Sequence, residues 1–257
     1  MTPRAIYISY YTMVRKELVR MLRIWSQTFL PSVITSTLYF VVFGALIGSQ
    51  IAPIDGFSYM QFIVPGLVMM AVITNSYTNT VSTFYFAKFT RSIDEVLVSP
   101  TPNWVVMMGF ISGGVARGVM VGFLVFLISL FFADLTIVNG WVIFAALILT
   151  STLFSLGGLI NGIFAKGFDG ISIVPTFVLT PLTYLGGIFY SISFLPEFWQ
   201  GVSLFNPILY MVNAFRYGFL GITDVPLLYC FAILIVFNVV FFGIVAWLFK
   251  KGTGVKT

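Results

Sequence analysis

The chain has 257 residues, 13 Lys and Arg against 8 Asp and Glu for a net charge of +5, no histidine and one cysteine. Only 8% of residues are charged and 59% are hydrophobic, where a soluble domain carries about a quarter charged residues. This excludes a soluble globular class. Without histidine there can be no His-based triad, imidazole metal site or imidazole proton relay, and the lone Cys230 permits neither an internal disulfide nor a cysteine zinc cluster.

Stretches 24–54, 56–87, 135–165, 170–196 and 225–249 hold no ionised side chain. Backbone polar groups in hydrocarbon must be satisfied by helices or a closed barrel. The polar/apolar alternation of a barrel is missing, so the fold class is all-α polytopic membrane protein. The spacing predicts six spans: Thr28–Ile47, Met60–Val81, Ile111–Phe132, Trp141–Phe164, Ser172–Tyr190 and Leu227–Phe249, each near the roughly 20 residues needed to cross a bilayer. Arg4, Arg15, Lys16, Arg20, Arg23, Lys88, Arg91, Lys166, Lys250, Lys251 and Lys256 then share one side with both termini, which the positive-inside rule makes cytoplasmic. The first apolar run is too long for a signal-peptide core, so it is expected to stay in the mature chain.

Residues 1–26 precede the first span. On a 3.6-residue period Tyr7, Tyr11, Val14, Leu18, Met21, Leu22 and Trp25 fall on one arc, with Lys16, Arg20 and Arg23 opposite. This pattern predicts an amphipathic helix lying at the membrane interface, serving as an anchor or as a docking surface for a cytoplasmic partner. In residues 88–103, between spans two and three, Ser92 and Glu95 have the spacing of a capping box. Thr101 and Pro102 suit the N-cap and first position of the next helix, and Ile93, Val96 and Leu97 have no evident core to fill, which suggests a bound partner. Arg117 falls inside span three, where it should snorkel to the headgroups or face protein, along a translocation path.

Residues 191–225 are apolar but interrupted. Asn206 is a natural N-cap, Pro207 a natural first-turn residue and Gly221 a natural stop. Two short helices that enter the outer leaflet and return, a re-entrant hairpin, fit better than further crossings. Arg216 on the second helix is expected at the outer boundary, paired with Glu197 or Asp224. Gly157, Gly158 and Gly162 lie inside a span and suit close helix packing.

The stretch 181–221, with Asn206-Pro207 followed by Arg216, resembles the signature of type 2 ATP-binding-cassette exporter permeases, and 91–100, with Glu95 and Leu97 before Ser99-Pro100, resembles that family's coupling helix. The six-span order and the amphipathic start agree, so the resemblance covers the whole chain as one type 2 transmembrane domain, 1–257. It implies a bacterial inner-membrane permease that dimerises with a second copy and binds a separate cytoplasmic ATPase subunit. ATP and Mg would sit on that partner, since this chain has no phosphate-binding loop. Arg91, Ile93, Asp94, Glu95, Val96 and Leu97 would couple to the ATPase; Lys16, Leu18, Arg20 and Arg23 mark the interface helix; Asn206, Pro207 and Arg216 mark an external gate. A hydrophobic, amphipathic or glycan-type cargo would be exported. The rival readings are an ATP-independent secondary transporter or channel, which ought to show intramembrane acids, and an intramembrane enzyme, for which no catalytic constellation exists. Neither nucleic-acid binding nor a metal site is expected.

Overall fold

The computed structural model describes residues 2–252 and 254, with the backbone alone at Ala45 and Ser49; Lys256 lies outside the described residues. Among them, the chain is helices and turns with one isolated bridge, Ile54 to Phe57. The helices are α1 (Pro3–Arg23), α2 (Trp25–Tyr39, continuing as a π-helix Phe40–Ile47), α3 (Tyr59–Phe89), α4 (Ser92–Val98), α5 (Asn103–Ser129), α6 (Gly140–Phe164), α7 (Phe168–Val174), α8 (Thr180–Tyr184), α9 (Glu197–Leu204), α10 (Pro207–Leu220) and α11 (Leu227–Lys251). Among the described residues, five helices are long and apolar enough to cross a membrane: Trp25–Gly44, α3, α5, α6 and α11.

The expected fifth span, Ser172–Tyr190, corresponds to a helical run of mixed type over 168–184: α7, a π-helical stretch Pro175–Leu179 and α8 follow one another without a gap, with turns after Tyr184. Pro175 and Pro181 each remove a backbone donor from the ladder, so the hydrogen-bond pattern is broken although the helical course is not. We call residues 168–184 the broken segment.

α3 is the central post, with 83% of its most apolar window buried. Its start is fixed by a true capping box, Ser58 with Gln61. α5 packs closely against it because Gly114 and Gly118 leave room for the hydroxyls of Thr80 and Ser76, which a Cβ there would strike. On α6, Gly158 and Gly162 sit against α3 as close-packing residues, whereas Gly157 has only ordinary contact distances around it.

Two hydrophobic cores result. The larger surrounds α3 and α10; the smaller gathers Phe84, Ile93, Val106, Phe110, Leu159, Ile163 and Leu248 where α3, α5, α6 and α11 share one end. Lys88 Nζ donates to the Ile163 carbonyl at 2.8 Å, and Asn103 Nδ2 to the Phe249 carbonyl at 3.1 Å, tying that end together. At the other end, Ser191 donates to the carboxylate of Asp224, so residues 191–224 leave and return at one place.

Candidate functional site: a hydroxyl-bearing face between two polar anchors

At the end carrying α4, Arg91 takes a left-handed backbone conformation, φ 58°. It reverses the chain two residues after α3. The N-cap of α4 is therefore Arg91, one residue before the position that a Ser92–Glu95 capping box requires. Ser92 Oγ instead donates to the Ala87 carbonyl at 3.3 Å. The next helix likewise starts a residue later than expected, with Pro102 as N-cap and Asn103 first.

Ile93 is fully buried and Val96 and Leu97 pack on the smaller core, so these three do have a core to fill. Arg91 and Glu95 are exposed and Asp94 is half-buried. Val98, which the sequence reading passed over, is 87% exposed at the tip. What α4 offers a partner is thus Arg91, Glu95 and Val98.

α1 lies along α5. Its packed side is Tyr10, Met13, Glu17 and Met21: Tyr10 Oη and Ser112 Oγ are 2.7 Å apart, and Gly109 and Gly113 admit Met13 and Glu17. Tyr7, Tyr11, Leu22 and Trp25 are exposed, Leu18 is half-buried, and Lys16 and Arg23 are exposed. Arg20 departs from the expected stripe of free cations. Its Nη2 donates to Glu17 Oε2 at 2.8 Å, to Asn79 Oδ1 at 3.1 Å and to Thr83 Oγ1 at 2.5 Å, fastening α1 to α3.

Burial pushes the Glu17 carboxyl above its usual range, against the opposing pull of Arg20 and Lys16. Arg117 faces protein, donating from Nη2 to the Thr28 carbonyl at 3.4 Å, so it braces the start of α2. Glu17 was overlooked in the sequence as an acid among cations. Its signal is the Tyr10–Met13–Glu17–Met21 spacing, the interior line of a helix.

The opposite anchor is Arg216. Asn206 caps α10 by accepting from the Ile208 amide at 3.0 Å, its own Nδ2 donates to the Leu182 carbonyl at 2.6 Å, Pro207 is first in the helix and Gly221 closes it at φ 75°. These positions follow the sequence. Arg216 is 1% exposed, and it meets a carbonyl and a carboxylate rather than water. Nη2 donates to the Gly187 carbonyl at 2.6 Å, Nη1 lies 3.7 Å from Asp224 Oδ2, and the guanidinium stacks 3.8 Å over the Phe62 ring. Asp224 is the partner, positioned in turn by Asn213, which accepts from the Asp224 amide at 2.9 Å. Arg216 therefore joins α10, α3 and the turn after α8.

Between the anchors runs a face the sequence reading did not single out. On α3 Thr74 is exposed and Thr78 and Ser82, four and eight residues on, are half-buried; on the broken segment Thr176, Thr180 and Tyr184 are exposed at the same spacing; α2 contributes the exposed Thr35 and the half-buried Ser32 and Tyr39. Tyr39 and Tyr184 are hydrogen-bonded, 3.2 Å between oxygens. Ser32, Thr35, Ser36, Thr74 and Asn75 line a groove of about 200 Å³ between α2 and α3. Asn75 Nδ2 donates to Ser32 Oγ at 2.9 Å across it. One Ser or Thr in a span is unremarkable because its hydroxyl bonds its own helix. A set of them recurring on three neighbouring elements gives this side hydrogen-bonding capacity among apolar neighbours such as Leu67, Met70 and Ala71.

A bundle of long apolar helices, with an α1 helix packed along it and an Asn-Pro-capped α10 wedged into it, defines a polytopic membrane protein of the transporter kind. The family model for ABC-2 type transporters matches residues 8–220, and the chain belongs to that family: it is a membrane permease subunit and not an enzyme. It is 60% identical over 243 residues to the inner membrane transport permease YadH of Escherichia coli K12, covering 94% of each chain, and equally so to that of Shigella flexneri. More distantly it is similar to nodulation protein J of Rhizobium meliloti, 22% identical over 202 residues, 77% of each chain.

Proposed function

We propose that this chain is the permease of an ATP-driven exporter in a bacterial inner membrane, working as a pair of copies with a separate ATPase subunit. Membership of the ABC-2 family implies the ATPase, and the inner-membrane placement follows from likeness to YadH. The observation that carries the pairing is the partly uncovered hydroxyl face on α2, α3 and the broken segment: polar groups at bilayer depth face protein or a water-filled cavity rather than lipid. Two copies meeting there enclose a path lined by hydroxyls and amides without a formal charge. This suits an uncharged, hydrogen-bonding cargo of amphipathic or glycan type.

In this reading α7 to α8 complete a sixth crossing, broken but continuous in direction, and α9 and α10 form the re-entrant hairpin that closes the outer end. α1 lies at the cytoplasmic interface, with both termini on that side, where the Lys and Arg residues gather. ATP-driven closure of the ATPase subunits presses on Arg91, Glu95 and Val98, and the Arg20 network passes the displacement from α1 to α3. Asn206, Pro207 and Arg216 hold the external gate. Arg117, half-buried and bonded to the Thr28 carbonyl, acts as a brace for α2.

Native mass spectrometry of the tagged permease extracted with its ATPase tests this. Two copies of each subunit are expected, and Val98→Asp should release the ATPase while leaving the permease pair. A permease extracted as a monomer without an ATPase would overturn the reading in favour of an ATP-independent transporter or channel, and an ATPase still bound after Val98→Asp and Glu95→Ala together would overturn the assignment of α4 as its docking surface.

A further inference from the structure

We propose that a cavity behind the broken segment is a binding site for an uncharged lipophilic molecule with a single hydrogen-bond-accepting oxygen, received sideways from the bilayer. The cavity, of about 400 Å³, lies among α3, α6, the broken segment, the start of α10 and α11. That volume falls within the range of small-molecule sites. Its wall is apolar, with Leu153, Phe154, Leu179 and Phe237 typical, and its polar members are Tyr77 and Asn161.

Tyr77 is 2% exposed, yet its hydroxyl makes no hydrogen bond among the described residues. Buried hydroxyls are normally paired. The Asn161 amide nitrogen donates to the Ile171 carbonyl at 3.4 Å. The phenol is thus a buried donor with no acceptor at hydrogen-bond geometry among the described residues, and Asn161 is the polar side chain beside it. No ionised side chain lines the cavity, so a carboxylate or ammonium would be desolvated there without a counter-charge. An ether, ketone or ester oxygen would not.

The way in is lateral. Phe164 and Val178 on the rim are 57% and 45% exposed, and the neighbouring outer face of α11 is apolar throughout, from Ile235 to Trp247. Gly157 is part of the wall, where a Cβ would be in ordinary contact with Phe241 and Tyr77, both at 3.7 Å, and a larger side chain would enter the cavity. The site is distinct from the hydroxyl face. Val174, Val178 and Leu182 turn to the cavity, while Thr176, Thr180 and Tyr184 are on the other side of the same segment. An occupant would prop that irregular segment from behind, and π-helical stretches such as Pro175–Leu179 are frequent at functional positions.

Photolabelling of the full-length permease in lipid nanodiscs tests the site. Three diazirine probes share one long alkyl chain and differ only in ending as a methyl ketone, a plain hydrocarbon or a carboxylate, and labelled peptides are mapped by mass spectrometry. The ketone should label peptides containing Tyr77, Leu153 and Asn161 about tenfold more than the hydrocarbon, the gain of one buried hydrogen bond, with the carboxylate lowest. Tyr77→Phe should bring the ketone down to the hydrocarbon level. Gly157→Leu should lower both at the wall and leave labelling of Val236 and Val239 unchanged. Equal labelling by all three probes, a ketone preference that survives Tyr77→Phe, or labels confined to outer α11 would overturn the proposal. If Gly157→Leu does not fold, the Tyr77→Phe comparison decides alone.

Discussion

Two faces of this protein differ in chemistry. Along α11, Ile235, Val236, Val239, Val240, Phe242, Ile244 and Trp247 are all exposed. On α2, α3 and the broken segment, by contrast, hydroxyls recur at helical spacing among exposed and half-buried positions, interleaved with apolar side chains such as Ile34, Leu38 and Phe177. A hydrocarbon solvent explains the first face completely, since lipid tails are as apolar as the side chains. The second needs something else to bond with. Exposure alone therefore does not identify a lipid-facing surface; exposure together with hydrogen-bonding capacity separates the face that meets lipid from the face that meets a partner or a path.

The comparison is broken most severely by removing what holds the polar face in place. Arg216→Ala should destabilise the fold by about 3 to 5 kcal/mol, because Asp224 loses its counter-charge and the Gly187 carbonyl its donor. The loss should appear as a lowered melting temperature and as proteolysis around residues 168–190, with α11 still protected. Unchanged protection of the broken segment would mean that Arg216 does not position it.

Charge placed on each face sharpens the difference. Val239→Arg, on the α11 face, should cost about 2.5 to 3.5 kcal/mol of insertion if it lies near mid-bilayer. Thr78→Arg should cost far less, because that side meets water or protein. Folded yield measured by fluorescence-detected chromatography compares them, and equal losses would erase the distinction.

Those two variants also show what the sequence could and could not reveal. Asn206, Pro207 and Gly221 were legible because capping and chain reversal are local events, settled within a few residues. The partner of Arg216 was left between Glu197 and Asp224, since the choice depends on where Ser191 and the turn after α8 come to lie. The Ser92–Glu95 pattern misled because Arg91 adopts a left-handed turn, a conformation that non-glycine residues take only occasionally. The π-helical stretch of the broken segment was not legible because hydropathy ignores the donors that Pro175 and Pro181 remove. The hydroxyl face was readable in principle from Thr74, Thr78 and Ser82, but only once it is known which side of α3 the other helices cover.

A subtler change touches the polar face alone. Tyr39→Phe removes the hydrogen bond to Tyr184 and should cost no more than about 1 kcal/mol. It should nevertheless raise the solvent accessibility of a cysteine introduced as Thr180→Cys, read by its rate of labelling with a membrane-impermeant maleimide. No change in that rate would show that the two tyrosines do not hold α2 to the broken segment.

The central claim is that the hydroxyl face is where two copies meet, and cross-linking between copies tests it most directly. In a Cys230→Ala background, single substitutions Thr74→Cys and Thr180→Cys on the polar face, with Val239→Cys as the comparison on α11, would be treated in native membranes with bismaleimides of graded length. The account predicts covalent dimers from Thr74→Cys or Thr180→Cys with short linkers and none from Val239→Cys. Dimers formed through Val239→Cys while both polar-face variants stay monomeric at every linker length would contradict it.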